Sequence, residues 1–397
     1  MRLFHGTTSS CHRVRPTQID VENFHNFHNS PEVIDDRIRM LNNEWPKEGR
    51  GCEYCKNVEQ HGGLSDRLYH NPIEGLNPVD FDGTNLEVTP RVSEIYLHNT
   101  CNMACVYCKS IFSSKINQEL KMFGPYPIGL EYTPEHPDRE KLFDLYKDWL
   151  KSNINKLSRL NILGGEPLLQ NELWDLLDIV EEYSTSNELE IGMNTNLNYP
   201  TKVLDKFVSI CKKLILQKKI KLLAINPSMD CWGPQAEYVR HGVDLGQWKT
   251  NFEYLLKHKW IKLTVHQVIT SLTIKTAIDL QRMIAEYKTH NPKILQTYYF
   301  VDGQNEKVFH PEIFGKEFFK QQLDELLETM PITTEWDKLS KERLRGICEL
   351  MDQSTPNIDR LSMLYDTLEQ IDHRRGTNWR ALWPEIEEYF IKCGIAK

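Results

Sequence analysis

The sequence predicts an α/β protein: a partial six-stranded β/α barrel preceded by a small loop-rich unit and followed by a helical extension. Two observations carry the barrel. From about residue 93, strand-like apolar runs of five to nine residues alternate with amphipathic runs of ten or more, the pattern of repeated βα units around a mainly parallel sheet. Six such strand-like runs are present, fewer than the eight of a closed barrel, so the sheet stays open. A third observation carries the flanks. Residues 1 to about 90 are rich in His, Asn, Pro and Gly with little sustained periodicity, whereas beyond about 310 the pattern is helical to the end.

In chain order, strands are expected near 94–98, 158–163, 188–193, 220–226, 261–269 and 296–301, in EIYLHN, LSRLNILGG, LEIGMNTN, IKLLAINPSMD, IKLTVHQVI and LQTYYFVD. The runs between them, such as REKLFDLYKDWLKS, ELWDLLDIVEEYS, KVLDKFVSICKKL, WKTNFEYLLKHK and TAIDLQRMIAEYK, place apolar residues at helical spacing. EFFKQQLDELLETM and RLSMLYDTLEQI extend this beyond the barrel. The expected divisions are 1–90, 91–305 and 306–397. The first of these, lacking periodicity, needs an external staple, and a metal cluster would supply one.

Composition excludes some function classes. The chain has 397 residues, 40% hydrophobic and 26% charged, with a formal charge of −8 from 48 Lys+Arg and 56 Asp+Glu. That balance argues against a broad electrostatic grip on nucleic acid or an anionic membrane. No run approaches 18 apolar residues, and MRLFHGTTSSCHRVRP lacks the order of a secretory signal, so a cytoplasmic protein is expected. In a reducing compartment ten cysteines are poor disulfide material, and clustered ones point to metal or redox chemistry. Cys52/Cys55 and Cys101/Cys105/Cys108 are clustered, with Cys11 upstream, whereas Cys211, Cys231, Cys348 and Cys393 are isolated and read as inert thiols.

The chemistry-bearing residues fall after the strands, where the βα loops of such folds gather. CNMACVYC follows the first strand, Gly164-Gly165-Glu166-Pro167 the second, Asn194-Thr195-Asn196 the third and Ser228-Met229-Asp230 the fourth. Cys101, Cys105 and Cys108 can hold three corners of an iron–sulfur cube and leave the fourth iron without a protein ligand. An open position binds and activates a small molecule, whereas a structural zinc site is closed by four ligands. The competing arrangement is a Cys3His zinc site through His98, which would have to fold back from the strand.

CNMACVYC resembles the radical S-adenosylmethionine (SAM) signature C-x3-C-x2-C, which Asn102 and Tyr107 also fit. The resemblance spans roughly residues 90 to 300 and implies a radical SAM barrel with a [4Fe–4S] cluster on the three cysteines. The open iron would chelate the amino and carboxylate groups of SAM. An electron from the cluster would split the C5′–S bond, giving a 5′-deoxyadenosyl radical that takes hydrogen from substrate. Gly164-Gly165-Glu166-Pro167 is similar to the family's GGEP loop, with Gly164 and Gly165 allowing close approach and Glu166 pairing with the methionyl ammonium. Ser228 in NPSMD and Arg240 in EYVRHG resemble the residues that hold the methionyl carboxylate. Asn196 is implied at the ribose, with Asn194 and Thr195 as near-equal candidates. Val268 would lie against adenine, and the Tyr107 backbone would meet its amino group. Against these stand a surface arginine, a loop-capping asparagine and a core valine.

GCEYCKNVEQHGGLSDR, with Cys52, Cys55, Glu59, Gly63, Ser65 and Arg67, is similar to the segment preceding the barrel in twitch-domain-containing radical SAM proteins of phage and bacterial type. That resemblance implies an auxiliary iron–sulfur cluster on Cys11, Cys52 and Cys55. The earliest cysteine of the pattern is absent, so the fourth ligand stays open among His5, His12, Cys348 and an exogenous substrate, and zinc or no metal stays open too. The family implies a peptide or small-metabolite substrate and an electron donor such as flavodoxin or ferredoxin. A non-catalytic iron–sulfur electron-transfer or scaffold protein is the competing class, and a radical enzyme acting on RNA is disfavoured by the acidic balance. Cys231, Tyr298, Tyr299 and His266 are positionally eligible to exchange a second hydrogen atom.

Overall fold

The computed structural model describes residues 1–60, 62, 65–68, 86–301 and 306–396. Its centre is one sheet of β1 (Val92–Tyr96), β2 (Arg159–Leu163), β3 (Glu190–Thr195), β4 (Leu222–Pro227), β5 (Lys262–Ile269) and β6 (Leu295–Phe300). The strands lie in chain order and every neighbouring pair is parallel. The fold is thus the open six-stranded β/α barrel expected from the sequence.

Strand alternation separates two faces. Ile95, Leu160, Ile162, Ile191, Met193, Leu223, Ile225, Leu263 and Val265 share one buried core with the crossover helices Arg139–Asn153, Glu172–Tyr183, Thr201–Leu216, Leu245–Leu256 and Ile274–His290. The other face carries Glu94, Asn161, Asn194, Asn226, His266 and Tyr299, all half-buried or exposed. This second face is the more polar one, and the loops that follow the strands rim it.

Both edges are closed by other parts of the chain, which prevents edge-to-edge association. At β1 the Tyr96 N–H donates to Met1 O at 2.9 Å, and the Met1 nitrogen donates to Glu94 O at 2.7 Å. At the other edge the helix Glu335–Asp352 packs beside β6, where Ser340 Oγ donates to Gln296 O at 2.8 Å. Lys288, from the last crossover helix, meets Asp337 at 2.5 Å with both side chains buried. Asp337 also accepts from the N–H groups of Thr333 and Thr334, so this ion pair is fully engaged where the C-terminal helices join the barrel.

The first residues pack more than their lack of periodicity suggests. Leu3, Ile19 and Phe24 belong to the barrel core, and Phe27 meets Trp149 edge-on at 5.2 Å. Their partners lie far along the sequence, so no local repeat announces them. At the other end, Trp379, Trp383 and Phe390 are buried in a second core with Ala104, Val106, Ile116 and Val239. Arg375 binds Glu119 through two bonds of 3.0 and 2.9 Å, and Trp383 packs on Tyr238 at 5.1 Å. The C-terminal extension thereby braces the segments on either side of the cysteine loop. Among the described residues no helix is long and apolar enough to cross a membrane.

Candidate cluster and cofactor site

The loop carrying Cys101, Cys105 and Cys108 is tied down at several points. Ser114 Oγ accepts from Cys101 N and donates to Cys101 O, each at 3.1 Å, and Ser113 Oγ donates to Met103 O at 2.7 Å. Ala104–Cys105 pairs antiparallel with Arg240–His241, placing Cys105 opposite Arg240. Burial is the foremost cause that pushes the Cys101 thiol up to about 12, with Cys105 adding to it. Burial also raises Cys105 and Cys108, and the other two thiols add to Cys108. Thiols so placed ionise when metal cations supply the missing positive charge.

The residues present fit a cluster better than a single zinc. His98 is taken: its Nδ1 faces Thr100 N at 3.1 Å and Thr100 Oγ1 at 2.8 Å, and its Nε2 faces Glu135 at 3.5 Å. That removes the histidine from a Cys3His arrangement. Among the described residues no three His, Cys, Asp or Glu side chains converge on one ion-sized point. In an iron–sulfur cube each cysteine meets a different iron, so such convergence is not required.

Gly164 and Gly165 have φ of 90° and 48°, the region that suits glycine. A Cβ on Gly165 would lie 2.1 Å from Thr100 O, so the loop after β2 can rest on residues 98–100 only with hydrogen there. Glu166 N donates to Thr100 O at 2.8 Å. Gln170, which sequence reasoning missed, completes the junction: its Oε1 accepts from His98 N at 3.1 Å and its Nε2 donates to Gly164 O at 2.8 Å. A buried glutamine five residues after the second glycine of the turn gives no distinct signal in a single sequence.

Glu166 is fully buried. Its carboxylate accepts from Asn196 N at 2.6 Å and Thr195 Oγ1 at 2.8 Å. Burial raises its pKa to about 7, against the pull of those hydrogen bonds, so a cation brought beside it would restore the full charge. The three candidates after β3 are also separated. Thr195 faces Glu166 and Tyr199, whereas Asn196 Nδ2 donates to Asn102 Oδ1 at 2.8 Å and lies 3.9 Å from Cys101 Sγ. Asn194 instead accepts from Asn226 on the inner face.

Arg240 is buried, with 7% exposure, unlike a surface arginine. Its Nε and Nη2 donate to Asp230 at 2.9 and 3.2 Å, Nη2 reaches Tyr107 Oη at 3.0 Å, and Nη1 points to Cys105 Sγ at 4.0 Å. Asp230 also accepts from Tyr107 Oη at 2.5 Å and Val268 N at 3.0 Å. One carboxylate therefore aligns Arg240, Tyr107 and the backbone of β5. Its signal was present in NPSMD, two residues after Ser228, but its partners are distant in sequence. Ser228 N donates to Thr195 O at 2.8 Å, and Ser228 bridges to His266. The Tyr107 hydroxyl thus joins Arg240 and Asp230 in one hydrogen-bonded group.

Among the residues eligible for hydrogen exchange, Cys231 and Tyr298 are buried in the two cores, and the Tyr298 hydroxyl donates to Gln281. His266 and Tyr299 face inward with rings 5.0 Å apart. Burial lowers His266 to about 4, helped by the charge of Arg343.

In the N-terminal unit Cys11 Sγ lies 4.0 Å from His12 Nδ1, and His12 Nε2 faces Asp66 at 3.2 Å. The Asp66 bond, then that to Cys11, raises His12 to about 10. Cys52 is pushed up to about 11 by burial, with Asp36, Cys11, Glu53 and Cys55 adding. Cys55 is buried on the helix Glu53–Gln60. Cys348 lies near Asp324 and Asp352 of the C-terminal helices, and both nitrogens of His12 have partners, Cys11 and Asp66. Glu59 accepts from Ser65 Oγ at 2.5 Å and Arg67 Nε at 2.8 Å, which joins those motif residues, while Gly63 lies outside the described residues.

No protein-family model matches the chain, and no curated protein does. Among solved structures the chain is similar to native anSMEcpe with bound AdoMet and Cp18Cys peptide, at 16% identity and a TM-score of 0.38 over 69% of this chain and 65% of that one. It is also similar to SuiB of Streptococcus suis, at 16% identity and a TM-score of 0.41 over 75% and 61% of the two chains. The chain thus spans less than two thirds of the length of either.

Proposed function

We propose that this chain is a radical SAM enzyme. The observation that supports it most is the ladder that sets Cys105 opposite Arg240, in a loop that also contacts Asn196 and, through it, the Glu166 carboxylate. Three thiols from the loop after β1, a buried carboxylate from the loop after β2 and a buried guanidinium from the segment after β4 thus share one rim. A [4Fe–4S] cluster on Cys101, Cys105 and Cys108, with SAM held beside it, would supply reductive cleavage of SAM and hydrogen abstraction from substrate.

The chain's residues position and shield that chemistry. Cys101, Cys105 and Cys108 hold the cluster. Glu166 takes the methionyl ammonium, while Ser228 Oγ and Arg240 Nη1 take the carboxylate. Asn196 meets the ribose, and Val268 and the Tyr107 backbone meet adenine. Asp230 is a positioning residue, since it orients Arg240. On this reading residues 91–305 are the catalytic barrel, 1–90 the cysteine-bearing region with an auxiliary cluster on Cys11, Cys52 and Cys55, and 306–397 the helical extension. The substrate is a peptide or small metabolite, and the electron comes from a donor such as flavodoxin or ferredoxin.

The test is release of 5′-deoxyadenosine from SAM by anaerobically reconstituted protein with dithionite. Wild type is expected to release it and the variant with alanine at Cys101, Cys105 and Cys108 is not. Equal output from the two would overturn the reading.

A further inference from the structure

The inner face of the sheet holds a pair of asparagines that the cofactor site does not use. Asn194 and Asn226 are register partners on β3 and β4, both half-buried, and Asn226 Nδ2 donates to Asn194 Oδ1 at 2.8 Å. One bond between two carboxamides leaves one NH2 and one C=O over, whichever amide donates. No other hydrogen bond among the described residues takes up Asn194 Nδ2 or Asn226 Oδ1. The pair therefore presents a donor and an acceptor side by side, and no net charge.

The neighbours of the pair one pleat down on its own strands are small. Gly192 and Ala224, also register partners, lie two residues earlier on the same strands, so no large side chain of β3 or β4 fills the face below. Asn161, next to Gly192 on β2, leans over it, with Oδ1 2.2 Å from where an added Cβ would stand, and is held by Glu94 through a bond of 3.1 Å. In the other direction, Asn196 and Ser228 lie two residues further on. At a rise of about 3.3 Å per residue, they are about 7 Å along the strands from the pair. The pair is thus one pleat deeper than the residues assigned to SAM.

A donor beside an acceptor is what the edge of an extended peptide asks for, because the N–H and C=O of one residue point the same way. An anion would want charged donors, and an apolar substrate would leave both amides unmet at a cost. We propose that Asn194 and Asn226 form a peptide-binding subsite: Asn194 Nδ2 donates to a backbone carbonyl of an extended peptide substrate, and Asn226 Oδ1 accepts from an N–H of the same residue. The proposal rests on the radical SAM reading for its purpose, since it places the substrate backbone beside the cofactor residues.

The experiment uses N-acetylglycine N-methylamide as a minimal extended peptide, titrated into full-length protein with 15N-labelled asparagine. N-acetylsarcosine N-methylamide, which lacks the glycine N–H, is the comparison probe. Saturable shifts of the Asn194 and Asn226 side-chain amide signals are expected with the first probe. The apparent affinity should fall about tenfold with the second probe, and about tenfold for the first in Asn194→Ala or Asn226→Ala. Asn161→Ala should bind as wild type, and unchanged melting temperatures would show that the variants fold. No saturable shift in wild type, equal binding of the two probes, or unchanged binding in both Asn194→Ala and Asn226→Ala would overturn the subsite. This readout needs neither iron nor SAM, so its failure is separate from a failure to release 5′-deoxyadenosine.

Discussion

Arg240 and Asp230 form a buried, doubly bonded pair, Nε to Oδ2 at 2.9 Å and Nη2 to Oδ1 at 3.2 Å, with side chains 8% and 1% exposed. The pair uses one edge of the guanidinium and leaves Nη1 directed toward the cysteine loop. The carboxylate therefore decides where the arginine points, and the arginine in turn keeps the carboxylate from being an isolated buried charge.

Removing both partners should cost less than the sum of removing each alone. Asp230→Ala and Arg240→Ala are each expected to lower unfolding free energy by about 3–5 kcal/mol, because either leaves an uncompensated buried charge. The double variant should lose clearly less than the sum. Urea denaturation of the four proteins measures this, and strict additivity would show that the two groups do not couple. In protein that retains its iron, Arg240→Ala should also weaken SAM binding by about ten- to a hundredfold.

Glu166 should impose a pH dependence. Its folded pKa is raised to about 7 from the ordinary 4.5, so between those values the folded chain holds a proton that the unfolded chain has released. Stability then falls as pH rises through that window, by about 3 kcal/mol in total. Glu166→Gln removes the titration, so the difference between wild type and variant in denaturation experiments should change across about pH 5 to 7. A constant difference would mean that the carboxyl titrates normally.

The loop after β2 should tolerate no side chain at its second glycine. Gly165→Ala places a carbon where Thr100 O stands, and Thr100 adjoins Cys101. Gly376→Ala is the control: it also has a positive φ, of 66°, but an added carbon meets nothing within 4 Å. The control should lose about 1 kcal/mol from backbone strain alone. Gly165→Ala should lose more and bind less iron on reconstitution. Equal losses would show that the loop can move away from residues 98–100.

Metal analysis separates the two cysteine groups. With an auxiliary cluster on Cys11, Cys52 and Cys55, reconstituted wild type should carry about eight irons per chain, and the variant lacking Cys101, Cys105 and Cys108 about half. His12→Ala should then lower the iron retained by that variant, since His12 contacts Cys11. Zinc in place of iron would make the unit a structural staple, and absence of both metals would leave a one-cluster protein.

Much of the architecture was legible because it is written in local periodicity. Apolar residues alternate along β2 and β4 and recur at helical spacing between strands, and each of the six strands lies within two residues of its expected place at the start. The three cysteines share one loop, so their spacing is a property of the sequence alone. What the sequence could not convey are contacts whose members are remote. Leu3 and Phe27 lack a local pattern because their partners are β1 and the helix Arg139–Asn153. Gln170 and Asp230 look like ordinary polar residues until His98, Tyr107 and Arg240 surround them.

The sequence by itself determined the kind of fold, the three-thiol loop and the glycine turn, since each depends on residues within about a dozen positions. The tertiary structure alone decided that His98 is occupied elsewhere, that Arg240 is buried and aimed by Asp230, and that Asn194 turns to Asn226 while Asn196 turns to the cysteines. The physical reason is the sheet. Alternate residues of a strand point to opposite sides, and parallel strands bring side chains from distant crossovers into register, so the partner of each polar group is set by pairing across strands.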